Sequence, residues 1–321
     1  MALLTPLALD EARSIGAEYG LDLVAIDALT AGSVNSNFSA RAADGERYFL
    51  RVYEEQGRAG AVRELAMIAA LAKLGVPTPA PLVRLLGGHA SEHASKPVGI
   101  HPWVAGESLC GAQVTAPRIR ELGRALARVH GCSGVVPEIP EGRFRMADLL
   151  VRLDYIDQCD ARFAVDTQLI RERIARYSAV EAPPAVARGL IHGDLFRDNV
   201  LWRGDSLVAL LDFESASRGL FVYDLMVVVH AWCYSESYDL ALVAALFEGY
   251  SEERRLSAEE WDALLPQGCL GALRFATTRI TDFSMRAPAG RAPARDYRRF
   301  LARLAALEAG ALSPVIERGR L

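Results

Sequence analysis

Leu190-Ile191-His192-Gly193-Asp194-Leu195-Phe196-Arg197-Asp198-Asn199-Val200-Leu201-Trp202 sets a His-x-Asp after an apolar pair and an Asn five residues beyond the Asp. The segment that follows it, Val208-Ala209-Leu210-Leu211-Asp212-Phe213-Glu214, delivers another Asp from a short apolar run. The pattern predicts strands on either side of a Gly204-Asp205 turn, with two carboxylates and a carboxamide at the mouth of a β-hairpin. Such a trio suits phosphoryl transfer. One Asp can accept the proton of an attacking hydroxyl, while Asn and the second Asp are hard oxygen ligands for magnesium.

His-x-Asp followed by Asn at this spacing is the kinase catalytic-loop pattern with Gly in place of Arg, and Asp212-Phe213-Glu214 stands where protein kinases carry Asp-Phe-Gly. The stretch resembles the aminoglycoside phosphotransferase and choline kinase superfamily, small-molecule relatives of the protein kinases. A lone His-x-Asp would read as an ordinary hairpin whose Asp and Asn serve the turns. The ordered set of four polar residues, with strands in the gaps, favours the site.

The resemblance implies a bilobal α+β fold: a small antiparallel sheet with one main helix, then a mostly helical lobe. At 321 residues the chain is long for a single core. The expected division is 1–104 for the nucleotide-binding lobe and 105–321 for the catalytic and substrate lobe. Apolar residues make up 51% and charged residues 24%, the balance of a folded globular protein. A net charge of -4 offers no field for nucleic acid or an anionic membrane. The five Cys are scattered, never in a Cys-x-x-Cys pair, and point to reduced thiols. Acidic residues occupy the start, and the most apolar run, Leu225 to Trp232, is too short to span a bilayer. The expectation is a cytoplasmic protein, monomer or homodimer, with a small-molecule hydroxyl substrate and no nucleic-acid or membrane partner.

Along the chain, a helix is expected from Leu7 to Tyr19 and strands at 21–29, 38–41 and 48–53, with a turn at Asp44-Gly45. Between the first two strands lies Thr30 to Asn37, whose Gly32, Ser33, Asn35 and Ser36 are candidates to roof the phosphates of ATP. A plain hairpin turn is the alternative. Arg51 in the third strand stands where kinases carry a phosphate-clamping Lys, and Glu64 lies on the following helix, 59–74, whose stripe is Val62, Leu65, Ile68, Ala69 and Ala72. Both could equally be solvated surface charges. A Pro-rich connection with a strand follows at 76–86, then a polar turn at 87–96 with His89 and His93 exposed. The last strand, 97–104, reaches Trp103 at the hinge, where backbone could meet adenine.

Helices are expected at 119–130, twice within 144–177, from Tyr223 to Cys233, and at 240–250, 258–265, 270–283 and 296–307, before a frayed tail at 318–321. His130 reads as structural, and Asp224 as a cap that braces the catalytic loop. Roles follow from the chemistry: Asp194 orients the acceptor hydroxyl, His192 fixes the loop, Asn199 and Asp212 hold Mg2+ against ATP, and Arg51 with Glu64 clamps phosphate.

Four segments resemble the phosphotransferase-type homoserine kinases of bacteria: Gly32 to Phe38, Ile191 to Val200, Tyr223-Asp224-Leu225 through Ala231-Trp232-Cys233, and Ala272-Leu273-Arg274-Phe275 with Thr278 to Asp282. The likeness implies homoserine as acceptor and a place in threonine biosynthesis. Arg51 and Glu214 depart from that family's pattern and leave room for an aminoglycoside, choline, or another amino alcohol or sugar. A non-catalytic nucleotide-binding relative is the lesser alternative, since Asp194, Asn199 and Asp212 are all present. Arg274, Arg279 and Asp282, at i, i+5 and i+8 of one helix, are candidates to pair with a zwitterionic substrate, or else solvated charges.

Overall fold

The computed structural model describes residues 4–30, 34–142, 144–179, 184–287 and 293–320. The chain forms two compact units, Met1–Glu107 with Gly134–Glu138 and Leu201–Glu214, and Ser108–Ser133 with Ile139–Val200 and Ser215–Leu321. The units are thus interleaved in sequence, where a single cut at 104 was expected. Hydrogen bonds account for this: Glu107 and Trp202 exchange both backbone bonds at 2.9 Å, and Leu210 donates to the Pro77 carbonyl at 2.6 Å.

The first unit opens with α1 (Leu9–Ala17), β1 (Leu23–Leu29), β2 (Ser36–Ala42), β3 (Arg47–Val52), α2 (Arg58–Lys73), β4 (Ala90–His93) and β5 (Lys96–Pro102). Its five strands pair antiparallel in the order β1-β2-β3-β5-β4. Alternate residues of one face, Phe38, Ala40 and Ala42 with Leu50, Val52, Val98 and Ile100, bury against Ala12 and Ile15 of α1. On α2 the buried stripe is Ala61, Glu64, Leu65, Ile68 and Leu71. Val62, assigned to that stripe from sequence, is 44% exposed. The helix is turned so that Leu65 packs over Gly99, where any side chain would collide with it.

No strand forms within 76–86; residues 90–93, expected to lie in a polar turn, are β4 instead. The hairpin turns on Ala94 and Ser95, both at left-handed φ (49° and 62°). That geometry ordinarily announces itself with Asn-Gly or Asp-Gly, so Ala-Ser conceals it. His89 and His93 are half-buried, their ring nitrogens 3.0 Å from the carbonyls of Leu82 and Pro6.

The second unit contributes α3 (Ala116–Gly131), α4 (Met146–Cys159), α5 (Ala164–Ser178) and β6 (Arg188–Ile191). The chain then forms β7 (Val200–Arg203) and β8 (Ser206–Leu210), which pair with each other. Next comes β9 (Ser217–Leu220), which pairs antiparallel with β6. The β7–β8 pair is the hairpin expected around Gly204-Asp205, and the strand before His192 pairs separately, with β9 beyond Asp212.

The remaining helices are α6 (Phe221–Trp232), α7 (Leu240–Glu253), α8 (Ala258–Arg279), α9 (Arg298–Glu308) and α10 (Ser313–Gly319). Asp239 caps α7 through the N–H groups of Ala241 and Leu242, and Ser257 and Glu260 form a capping box on α8. Helix α3 meets α7 at Gly123 and Gly249; a Cβ at Gly249 would fall 1.9 Å from the Arg120 carbonyl oxygen. Two helices, 258–265 and 270–283, were expected on either side of Pro266, yet α8 runs through it. Trp261 and Leu264 before the proline, and Cys269 to Phe275 after it, are all buried. That burial outweighs the ~3 kcal/mol an interior proline costs. The tail is not frayed as far as Arg320, whose guanidinium pairs with Asp262; Leu321 lies outside the described residues. Among the described residues no helix is long and apolar enough to cross a membrane.

His230 on α6 is fully buried, Nε2 2.8 Å from the Gly268 carbonyl and Nδ1 2.8 Å from the Tyr238 hydroxyl. The carbonyl accepts from Nε2–H and the hydroxyl donates to Nδ1, so the ring is neutral. Burial pushes its pKa down to about 4. A depressed histidine pKa means that the unfolded chain takes up a proton the folded one refuses, so stability is lost as pH falls below about 6.5. In urea unfolding, the loss between pH 7 and pH 5 should be about 2 kcal/mol smaller in His230→Gln than in the parent. Equal losses in the two proteins would contradict this placement.

Candidate active site

In the helical unit the site is a backbone loop hung on one buried carboxylate. Asp224, near the start of α6 and fully buried, accepts from the His192 N–H at 2.6 Å and the Gly193 N–H at 2.8 Å. His130 Nε2, 3.1 Å away, donates to the same group, while its Nδ1 lies 2.7 Å from the Tyr250 hydroxyl. Burial works against the charge of Asp224. The His130 hydrogen bond and the Gly193 N–H more than offset it, holding the carboxyl below its ordinary range. Gly193 has φ +74°, and a Cβ there would lie 2.9 Å from the Ser215 carbonyl oxygen. This backbone is why the middle residue of His-x-Asp is glycine.

His192 is fully buried, and its Nδ1 accepts from the Asp194 N–H at 3.3 Å. Asn199 Nδ2 donates to the Asp194 carbonyl at 2.8 Å, which commits the amide's donor end and leaves Oδ1 as its acceptor end. Trp232 Nε1 donates to the Leu195 carbonyl at 2.9 Å, so the Ala-Trp-Cys end of α6 also supports the loop. The Asp194 side chain keeps 35% exposure and meets Arg274 Nη1 at 3.2 Å. That nitrogen also donates to the Gly193 carbonyl at 3.1 Å. The guanidinium sits over Phe275 (3.9 Å) and Phe144 (4.3 Å).

The first unit holds the other group. Arg51 is not a surface residue: Nη1 is 3.0 Å from Asp212 Oδ1 and 3.9 Å from Glu64 Oε1, and Nε donates to Asn37 Oδ1 at 3.3 Å. Burial works against its charge; Asp212 foremost, with Tyr53 and Glu64, more than restores it. Glu64 is 5% exposed and accepts from Gln56 at 2.6 Å. Burial pushes its carboxyl up to about 7 against the pull of Arg51. Asp212 adopts φ +63°, a left-handed conformation rare outside glycine and costly to hold.

Other expected residues are placed differently. Gly32 and Ser33 lie outside the described residues. Asn35 and Ser36 are buried and engaged: Asn35 donates to Glu214 at 3.0 Å, and Ser36 Oγ donates to Glu54 at 2.5 Å while accepting from the Leu4 and Thr5 N–H groups. Their side chains lock the start of β2, and Lys96 joins Glu54 from β5. The Trp103 N–H donates to the Arg47 carbonyl at 3.0 Å, and Arg47 lies over its ring. That donor is thus committed to the sheet.

Arg274, Arg279 and Asp282 each take a different partner. Arg279 donates to the Asp296 carbonyl and lies over Phe300. Asp282 pairs with Arg152 at 3.3 Å. The helix widens to a π-turn over Ile280–Ser284, which breaks the i to i+8 alignment. Gln56 and Phe144 escaped the sequence reading, since no motif marks an amide or an aromatic whose role is to flank an ion.

Asn199 Oδ1 and the Asp212 carboxylate are hard oxygen donors of the type magnesium takes, and in that chemistry they fit the ion. Among the described residues no three His, Cys, Asp or Glu side chains cluster as a self-contained metal site.

Residues 25–258 match the model of the phosphotransferase enzyme family. The chain belongs to this family. It is 32% identical to a homoserine kinase of Methylobacterium radiotolerans over 294 residues, 88% of each chain. With a homoserine kinase of Rhizobium meliloti it shares 30% over 315 residues, 95% of this chain and 94% of the other. An amicoumacin kinase solved with AMP-PNP, Ca2+ and amicoumacin superposes with a TM-score of 0.70 at 15% identity, covering 95% of this chain and 94% of that one. The phosphotransferase is an ATP-dependent kinase that acts on a hydroxyl of a small molecule.

Replacing Asp224 by Asn turns an NH2 group towards a loop that offers only donors. Urea unfolding should show a loss of about 3 kcal/mol, the scale of a buried, charge-assisted network broken on one side. A loss under about 1 kcal/mol would mean that the loop does not depend on this carboxylate.

Proposed function

We propose that this phosphotransferase is a homoserine kinase, moving the γ-phosphoryl group of ATP to the side-chain hydroxyl of L-homoserine. The observation that carries the reading is that both homoserine kinases align over nearly the whole chain, at 30% and 32% identity. The loop geometry supports it, since Asp194 stands at the end of a braced turn with a third of its side chain open.

In this reading Asp194 accepts a hydrogen bond from the acceptor hydroxyl, aims its oxygen at phosphorus and takes its proton as the bond to phosphorus forms. His192 fixes the loop through the Asp194 N–H and stays out of proton transfer. Asn199 and Asp212 would hold Mg2+, which supplies charge neutralisation on the phosphates when bound. Arg51, kept in place by Asp212 and Glu64, is the residue that grips a phosphate oxygen.

A coupled ADP assay over a panel of acceptors tests the reading. Homoserine should give the highest kcat/KM against choline, ethanolamine and an aminoglycoside; a better acceptor among these would displace it. Asp194→Ala should lower kcat by about 10²- to 10⁴-fold with little change in ATP affinity. Near-normal turnover of that variant would remove Asp194 from its role.

A further inference from the structure

The Asp194 peptide is fixed from both ends, its N–H by His192 and its carbonyl by Asn199 and the Phe196 N–H. The side chain is held at one oxygen alone. Oδ1 lies 3.2 Å from Arg274 Nη1, whereas Oδ2 makes no hydrogen bond among the described residues. Oδ2 is also open to solvent, as the 35% exposure of the side chain requires. The last torsion of an aspartate is broad and roughly two-fold, so the backbone fixes where the carboxyl group sits but not how its plane is turned. A partner on one oxygen settles that.

Arg274 is itself firmly placed. It is buried in α8, and its Nη1 donates both to Asp194 Oδ1 and to the Gly193 carbonyl at 3.1 Å, so one nitrogen ties the side chain to the peptide before it. Phe275 and Phe144 lie against the guanidinium, at 3.9 Å and 4.3 Å. Asp194 is its one carboxylate partner among the described residues, and leaving that partner would strand a buried charge. We infer that Arg274 is a positioning residue for phosphoryl transfer: by holding Oδ1 it sets the plane of the Asp194 carboxylate and reserves Oδ2 for the acceptor hydroxyl. The inference rests on the role given to Asp194 above and does not depend on which acceptor the enzyme takes. A proton on Oδ1 would face the Arg274 N–H, donor against donor, so the hydroxyl proton passes to Oδ2. It does so as the hydroxyl oxygen's electron pair forms the bond to phosphorus and the bond to the departing ADP breaks. Arg274 stays protonated throughout. Its contribution is direction, and a misplacement of about 1 Å in such a group costs about 100-fold in rate.

The test is the single-turnover rate of phosphoryl transfer, measured with the best acceptor of the panel. Arg274→Met removes both hydrogen bonds and keeps an unbranched side chain between the aromatic rings. Its rate should fall by about 10- to 100-fold while the Kd for ATP stays close to that of the parent. Arg274→Lys, which keeps the charge and loses the planar fork, should fall between the two. On an Asp194→Ala background Arg274→Met should cost nothing further, because the carboxylate through which it acts is already gone. A parent-like rate in Arg274→Met, or an added loss on the Asp194→Ala background, overturns the inference. Should Arg274→Met fail to fold, a parent-like rate in Arg274→Lys overturns it in the same way. Normal turnover in Asp194→Ala alone overturns the role of Asp194 itself, whereas a slow Asp194→Ala beside a fast Arg274→Met leaves that role standing and removes only the part given to Arg274.

Discussion

Asp224 carries no exposed surface, and its two oxygens accept from two consecutive backbone N–H groups and from His130. Two consecutive backbone N–H groups thus converge on one carboxylate, and the left-handed φ of Gly193 then turns the chain into Asp194. The direction in which the Asp194 side chain leaves the loop follows from this. His192 and Asn199 then fix the Asp194 peptide from its N–H and carbonyl ends. A group that must hold a reacting hydroxyl in line within a fraction of an ångström needs such support more than it needs unusual acidity.

The first unit solves a different problem, that of keeping a cation ready where burial disfavours charge. Arg51 lies within reach of two carboxylates, and Glu64 is itself restrained by Gln56. Two acids around one cation leave each only partly compensated, and burial therefore pushes Glu64 up to about 7. Asp212 holds its place at the expense of a strained backbone. Strain of this kind persists where the surroundings over-determine it, here with Phe213 beside it fully buried.

Much of this was legible in the residues themselves. The periodicity of α3 and of α6, and the three strands around Asp44-Gly45, follow from side-chain pattern because burial there is one-sided. The hairpin about Gly204-Asp205 was legible, but the pairing of β6 with β9 was not, since strand partners distant in sequence leave no local mark. Pro266 misled because an intrinsic cost read from one residue was outweighed by burial contributed by many. Ser36 and Asn35 looked like loop residues from their polarity, and only the buried Glu54 explains why polar side chains are needed at the start of β2. The i to i+8 alignment drawn from Arg274 to Asp282 does not hold because helical arithmetic presumes an unbroken helix, and the π-turn removes that premise.

The glycine inside His-x-Asp leads to one further step. The kinase pattern carries an arginine at that position, adjacent to the catalytic aspartate. Here the backbone conformation and the nearness of Ser215 exclude a side chain at residue 193, and a positive charge reaches the loop from α8 instead, through Arg274. An arginine within the loop would be tied to the loop alone. One from α8 ties that helix to the loop at two points, the Gly193 carbonyl and the Asp194 carboxylate, so the packing of α8 helps to set where Asp194 points.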